Sequence, residues 1–154
     1  MPTDGEILAM VNRAFAKRRR PEHFTNHTHC SECLEHDELL RSRDTETLTI
    51  GDVGNMGWDP ICFITAEGYA YYFPALARLA LAAPEAGGGW YGAHLFSTLC
   101  LDGPRNNRFL ACNAKQRKTV VAFLHHVIET RAELVDINPR AAKSLFEAIE
   151  IWSD

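Results

Sequence analysis

No stretch of these 154 residues approaches the roughly 18 consecutive apolar positions that a membrane span needs. The opening residues, MPTDGEILAM, lack both a basic segment and a long apolar core, so no secretory signal is expected. An excess of positive charge is missing too. Against 16 Lys and Arg stand 20 Asp and Glu, a net −4, which gives nucleic acid no electrostatic footprint. These absences predict a cytoplasmic protein with neither membrane nor nucleic acid as partner. Cysteine is present in an odd number, five, unevenly spread through a chain long enough to bury a core without staples. A disulfide framework is therefore not expected. Metalloprotease HExxH, the GxSxG elbow and the P-loop are all absent, as is the HxE…PCxxC set of zinc deaminases. Internal repeats and low-complexity segments are lacking as well.

What remains is helical patterning. Thr3 and Glu6 form a capping box ahead of Ile7, Leu8, Val11 and Phe15, predicting a first helix to about Arg19. The basic run Lys17 to Arg20, stopped by Pro21, reads as cations at that helix's C-terminus. A second helix is predicted over Ser31 to Ser42, and Thr49 with Asp52 caps one short turn. Thr65 caps AEGYAYYFPALARLALAA, in which Pro74 should kink or restart the helix. Further helices are predicted from Ala93 to Leu101, after the Asn113–Gln116 capping box, and after Asn138-Pro139. The last should bury Leu145, Phe146, Ile149 and Trp152. ICFIT is the best strand candidate but has no partner strand. The expected fold is all-α: one domain over residues 1–154, an irregular orthogonal bundle of about six helices with little or no sheet.

The densest chemistry lies in HTHCSECLEH. His27, Cys30, Cys33 and His36 follow one another at x2 spacing, and thiolates with imidazoles are the donors of tetrahedral zinc. A helix turns about 100° per residue, so the four converge only if the helix starts near Ser31 and the residues before it turn. His29 adjoins Cys30 and is the less convenient fourth donor. The same two thiols could serve redox chemistry, with Cys30 acidified at a helix N-terminus and Cys33 resolving it. On a continuous helix, His29, Cys33, His36 and Leu40 would instead form one packing stripe. All three readings stay open at this stage. Glu32, Glu35 and Asp37 read as solvated charges, with Arg41 an i+4 partner of Asp37.

Elsewhere, Tyr69, Tyr71, Tyr72 and Phe73 read as core. Cys62, Cys100 and Cys112 sit in apolar sequence and read as small core residues. Asp59 should brace the Trp58-Asp59-Pro60 loop, and one of His125 and His126 should be exposed. Trp90 and Tyr91, beside three glycines in the loop APEAGGGWYG, are expected to be partly exposed interface anchors.

Three segments, HCSECLEH, GWDPICFITAEGYAYYFPALARLAL and NRFLACNAKQRKTVVAFLHHV, resemble in this order a family of small bacterial proteins classed as a domain of unknown function. The resemblance spans His29 to about Val127 and implies a helical protein. It brings no activity and no site residues. The leading functional expectation is a helical module that binds a protein partner, of adaptor or toxin-neutralising type, with zinc as a structural cofactor. The alternative is a small enzyme, either a thiol redox protein using Cys30 and Cys33 or a metal-assisted hydrolase.

Overall fold

The computed structural model describes residues 1–84 and 89–154. Positions 85–88, part of the expected glycine-rich loop, lie outside the described residues. Nine α-helices and no strand occur among the described residues. Six are long: α1 (Asp4–Phe15), α2 (Ser31–Arg41), α4 (Ala66–Leu81), α5 (Tyr91–Leu99), α7 (Ala114–Thr130) and α9 (Pro139–Trp152). Three are short: α3 (Ile50–Val53), α6 (Asn107–Ala111) and α8 (Ala132–Asp136). The all-α class and the six principal helices match the sequence pattern. ICFIT is not a strand. Pro60–Cys62 is a 3-10 turn, started by Asp59, whose side chain accepts from the Ile61 N–H.

Local chemistry explains most of the starts. Thr3 with Glu6, Thr49 with Asp52, and Asn113 with Gln116 close capping boxes, and Asn138 caps α9 with Pro139 just inside. The central element is α4. Tyr69, Tyr72, Phe73, Leu76 and Ala80 are buried, and α1, α5 and α6 pack against it. The helix neither stops nor restarts at Pro74, which is itself buried. Around α4 runs one hydrophobic core that also takes in Val11, Leu95, Phe123, Leu145 and Trp152. Phe146, expected inside, is largely exposed; the inward stripe of α9 runs through Ala141, Leu145, Ala148 and Ile151 instead.

The basic run differs from expectation. Helix α1 ends at Phe15, and the arginines beyond it reach other elements. Arg20 donates to the carbonyls of Arg41 at 2.8 Å and Arg43 at 2.7 Å, so it caps the C-terminus of α2 rather than of its own helix. Arg18 bridges to the Ala111 carbonyl and to Glu67. The segment from Pro21 to Cys30 is thereby tethered at one end. Asp37 holds its middle: one buried carboxylate accepts from the backbone N–H groups of Phe24 and Thr25 and pairs with His23 at 2.7 Å. Asp37 is thus a buried brace and not a solvated charge on the helix surface. The Thr25 hydroxyl completes the seam by donating to the Cys33 carbonyl. The polar link lies fixed across the first turns of α2.

Candidate functional site: two thiol clusters

Cys30 is the N-cap of α2. Its backbone is extended (φ −161°, ψ 171°), and its sulfur accepts from the Cys33 N–H at 3.4 Å. The two sulfurs lie 3.3 Å apart, and His29 Nδ1 comes within 3.7 Å of the Cys33 sulfur. All five cysteines are free, Cys30 exposed and Cys33 buried. The Cys30 thiol is lowered from its ordinary 9.0 to about 7, first by the Cys33 backbone N–H and then by His29 and the Cys33 thiol. Cys33 moves the other way, raised by its hydrogen bond to Cys30 and by burial. The pair is thus asymmetric, with one thiol exposed and acidic and the other covered.

The four expected metal ligands do not gather in one place. The donors that converge within 4.8 Å are those of His29, Cys30 and Cys33. His27 stands in a separate group with His23 and Asp37, its ring stacked on His23 at 3.7 Å between centroids. Asp37 is already occupied by two backbone donors, so that group serves to brace the link. His36 is fully buried. Its Nε2 faces Glu32 at 3.1 Å, and its ring lies against Trp58 and Phe63. His29 therefore replaces His27 beside the thiols. Sequence spacing alone does not carry that information.

Trp90 and Tyr91 are not surface anchors. They are 8% and 5% exposed, and the Trp90 indole donates to the Ala80 carbonyl at 2.9 Å. Gly92 explains the fit: a Cβ there would come within 2.4 Å of the Trp90 ring. Exposed aromatics are Trp58 and Phe63, which pack on His36, and Phe146 on α9.

The second cluster has no contiguous sequence signal. The 3-10 turn presents Asp59 and Cys62, and α5 brings His94 across to them. Asp59 Oδ2 pairs with His94 Nε2 and also accepts from the Cys62 thiol at 3.4 Å. The Asp59 carboxylate raises His94 from 6.5 to about 9, with Cys62 adding to it, so its imidazole is protonated at neutral pH. Cys62 is exposed, contrary to its expected place in the core. Cys62, His94 and Tyr91 line a cleft of about 870 Å³. Tyr91 carries a buried hydroxyl with no partner among the described residues.

A family model described as a family of unknown function (DUF6714) matches residues 3–152. The chain belongs to the DUF6714 family. The match covers both clusters and every described helix of this DUF6714 protein, so its fold and its thiol sites lie within the family's own span. No curated protein and no solved structure matches the chain.

Proposed function

We propose that the protein performs thiol–disulfide exchange through Cys30 and Cys33. The observation that carries the reading is the asymmetric pair at the start of α2: an exposed Cys30 sulfur 3.3 Å from a covered Cys33 sulfur. The Cys30 thiolate attacks one sulfur of a substrate disulfide, and the other sulfur leaves as a thiolate. Cys33 then gives up its proton and attacks Cys30 in the mixed disulfide, releasing the second substrate thiol. The pair ends oxidised as a Cys30–Cys33 disulfide and the substrate ends as a dithiol, so electrons balance. An acidity near 7 suits Cys30 to attack at neutral pH. Trp58 and Phe63, exposed on the far side of the His36 ring, offer apolar surface to a polypeptide substrate.

The test is trapping. Reduced Cys33→Ser, mixed with an aromatic disulfide reagent, should accumulate a mixed disulfide at Cys30, located by peptide mass spectrometry. Wild type should release that adduct and close the internal disulfide. A Cys33→Ser variant that does not trap at Cys30 contradicts the reading.

A second reading has its own observation in its favour. The 3.3 Å and 3.7 Å separations among Cys30, Cys33 and His29 approximate the roughly 3.5 Å between neighbouring donors around tetrahedral zinc. In that reading zinc has three protein donors and a fourth position that solvent or a partner protein fills. Elemental analysis of protein purified without chelator separates the two. About one zinc per chain, lost in Cys30→Ser, favours the metal. For an adaptor role the exposed aromatic anchors among the described residues are Trp58, Phe63 and Phe146.

A further inference from the structure

The exchange proposed for Cys30 and Cys33 makes no use of Asp59, Cys62 or His94. These three converge from two elements, with one donor atom from each lying within 4.8 Å of the others; Cys62 and His94 line the cleft and Asp59 is buried behind them. They supply one oxygen, one sulfur and one nitrogen, a donor set suited to zinc and neighbouring divalent ions. Their positions are fixed from behind. The second oxygen of Asp59 accepts the Ile61 N–H at 2.9 Å, and the His94 ring rests on the Tyr91 ring at 5.7 Å. Such outer contacts orient metal ligands before an ion arrives.

We propose that Asp59, Cys62 and His94 form a divalent-metal centre of zinc type, with one coordination position open to the cleft. Three protein donors, two of them on the cavity wall, are the arrangement of metal sites that take an exogenous ligand, whereas closed structural sites use four. The cleft is of a size that admits a small organic molecule. Tyr91 lines it as well, and its buried hydroxyl has no partner among the described residues. Thr98 and Arg140 line it too, and Arg140 adds a cation at the start of α9. The class of ligand this combination fits is a small oxyanion, with one oxygen on the metal and its charge balanced by the guanidinium. The ion takes the place of the proton that His94 shares with Asp59.

The test uses the full chain with Cys30→Ser and Cys33→Ser, which removes the other thiol cluster. Cobalt(II) is the probe. We expect about one equivalent bound, with visible d–d bands of a four-coordinate ion and a thiolate-to-cobalt charge-transfer band. Adding Cys62→Ser should abolish the charge-transfer band while circular dichroism stays unchanged, since Cys62 is exposed. Adding His94→Gln should weaken binding about tenfold or more. Acetate, an oxyanion probe, should perturb the d–d bands. Failure to bind cobalt, or a charge-transfer band that persists without Cys62, overturns the site and leaves the trio a hydrogen-bonded brace. Bands that ignore acetate overturn the open position. Because the dithiol is absent from this background, the outcome is independent of the exchange reading.

Discussion

The two thiol clusters sit on elements that pack against each other, α2 and the 3-10 turn, yet they are built in opposite ways. At the start of α2 the more acidic thiol is on the outside. Cys30 faces solvent, its acidity comes from backbone and neighbour hydrogen bonds, and the charged brace, Asp37, is kept apart beneath the link. At the cleft the carboxylate is in the middle. Asp59 is buried and touches both the thiol and the imidazole, so any change in one of the three reaches the others directly. An exposed Cys30 suits a large partner that presents its own sulfur. An O, S and N trio built around a buried carboxylate at a cleft wall suits a small ligand that enters a cavity. The difference lies in where each site puts its negative charge relative to solvent, and it can be broken experimentally from either side.

The largest effect is expected from Asp37→Ala. Two buried backbone donors, those of Phe24 and Thr25, lose their acceptor, and the link is freed from α2. The expected destabilisation is about 2–4 kcal/mol, read by denaturant unfolding, with faster alkylation of Cys33 as its cover loosens. The cleft trio should keep its behaviour. Loss of both sites together would show that they are one unit rather than two.

Gly92→Ala acts on the other side. The added methyl meets the Trp90 ring at 2.4 Å, and either α5 or the indole must move. We expect about 1–3 kcal/mol of destabilisation by thermal melting, with Cys30 reactivity unchanged. A change in Cys30 alkylation would undo the separation of the sites.

A smaller effect is expected from His29→Ala. In wild type, iodoacetamide should label Cys30 with a rate that rises through a midpoint of about 7, because the thiolate is the reactive form. Removing the imidazole should move that midpoint up by less than about one pH unit, since the Cys33 backbone N–H contributes more than His29. An unchanged midpoint would mean that the helix end alone acidifies Cys30.

The smallest effect serves as a control that uses no cysteine. Asp4 is held at about 2, below its ordinary 3.8, chiefly by Arg131 and then by His126. A depressed carboxyl contributes stability that is complete above 3.8 and is lost as pH falls towards 2. Because Asp4 is half exposed, the loss should be modest. Asp4→Asn should flatten acid unfolding in that window and leave both thiol sites as they were.

Much of this architecture could be read before the coordinates. Capping boxes at Thr3, Thr49 and Asn113 mark helix starts because they are local hydrogen-bond circuits, and the structure forms all three. Exposure of His125 and burial of His126 also agree with the inward face of α7. What escaped the sequence depends on direction rather than on position. Cys62 has apolar neighbours, but in a 3-10 turn Pro60 and Ile61 go inward while Cys62 faces out. Trp90 and Tyr91 follow glycines and look exposed, whereas Gly92 makes room for the indole to fold back. The Cys30–Cys33 pair was legible because both thiols lie on one helical turn. His94 was not, because only the packing of α5 against the core sets it opposite the 3-10 turn. His29 stands where His27 was expected because the His27 ring is stacked on His23 instead, a contact that spacing alone does not reveal.

The cycling proposed for Cys30 and Cys33 as a pair can be tested directly by one titration. The full chain is equilibrated in glutathione buffers of graded potential, quenched with acid, alkylated and weighed by mass spectrometry. The account predicts a single reversible two-electron transition, present in wild type and in Cys62→Ser, absent in Cys30→Ser and Cys33→Ser, with the disulfide mapped to Cys30–Cys33. Protein that stays fully reduced across the series, or that holds one zinc with both thiols unreactive, would contradict it.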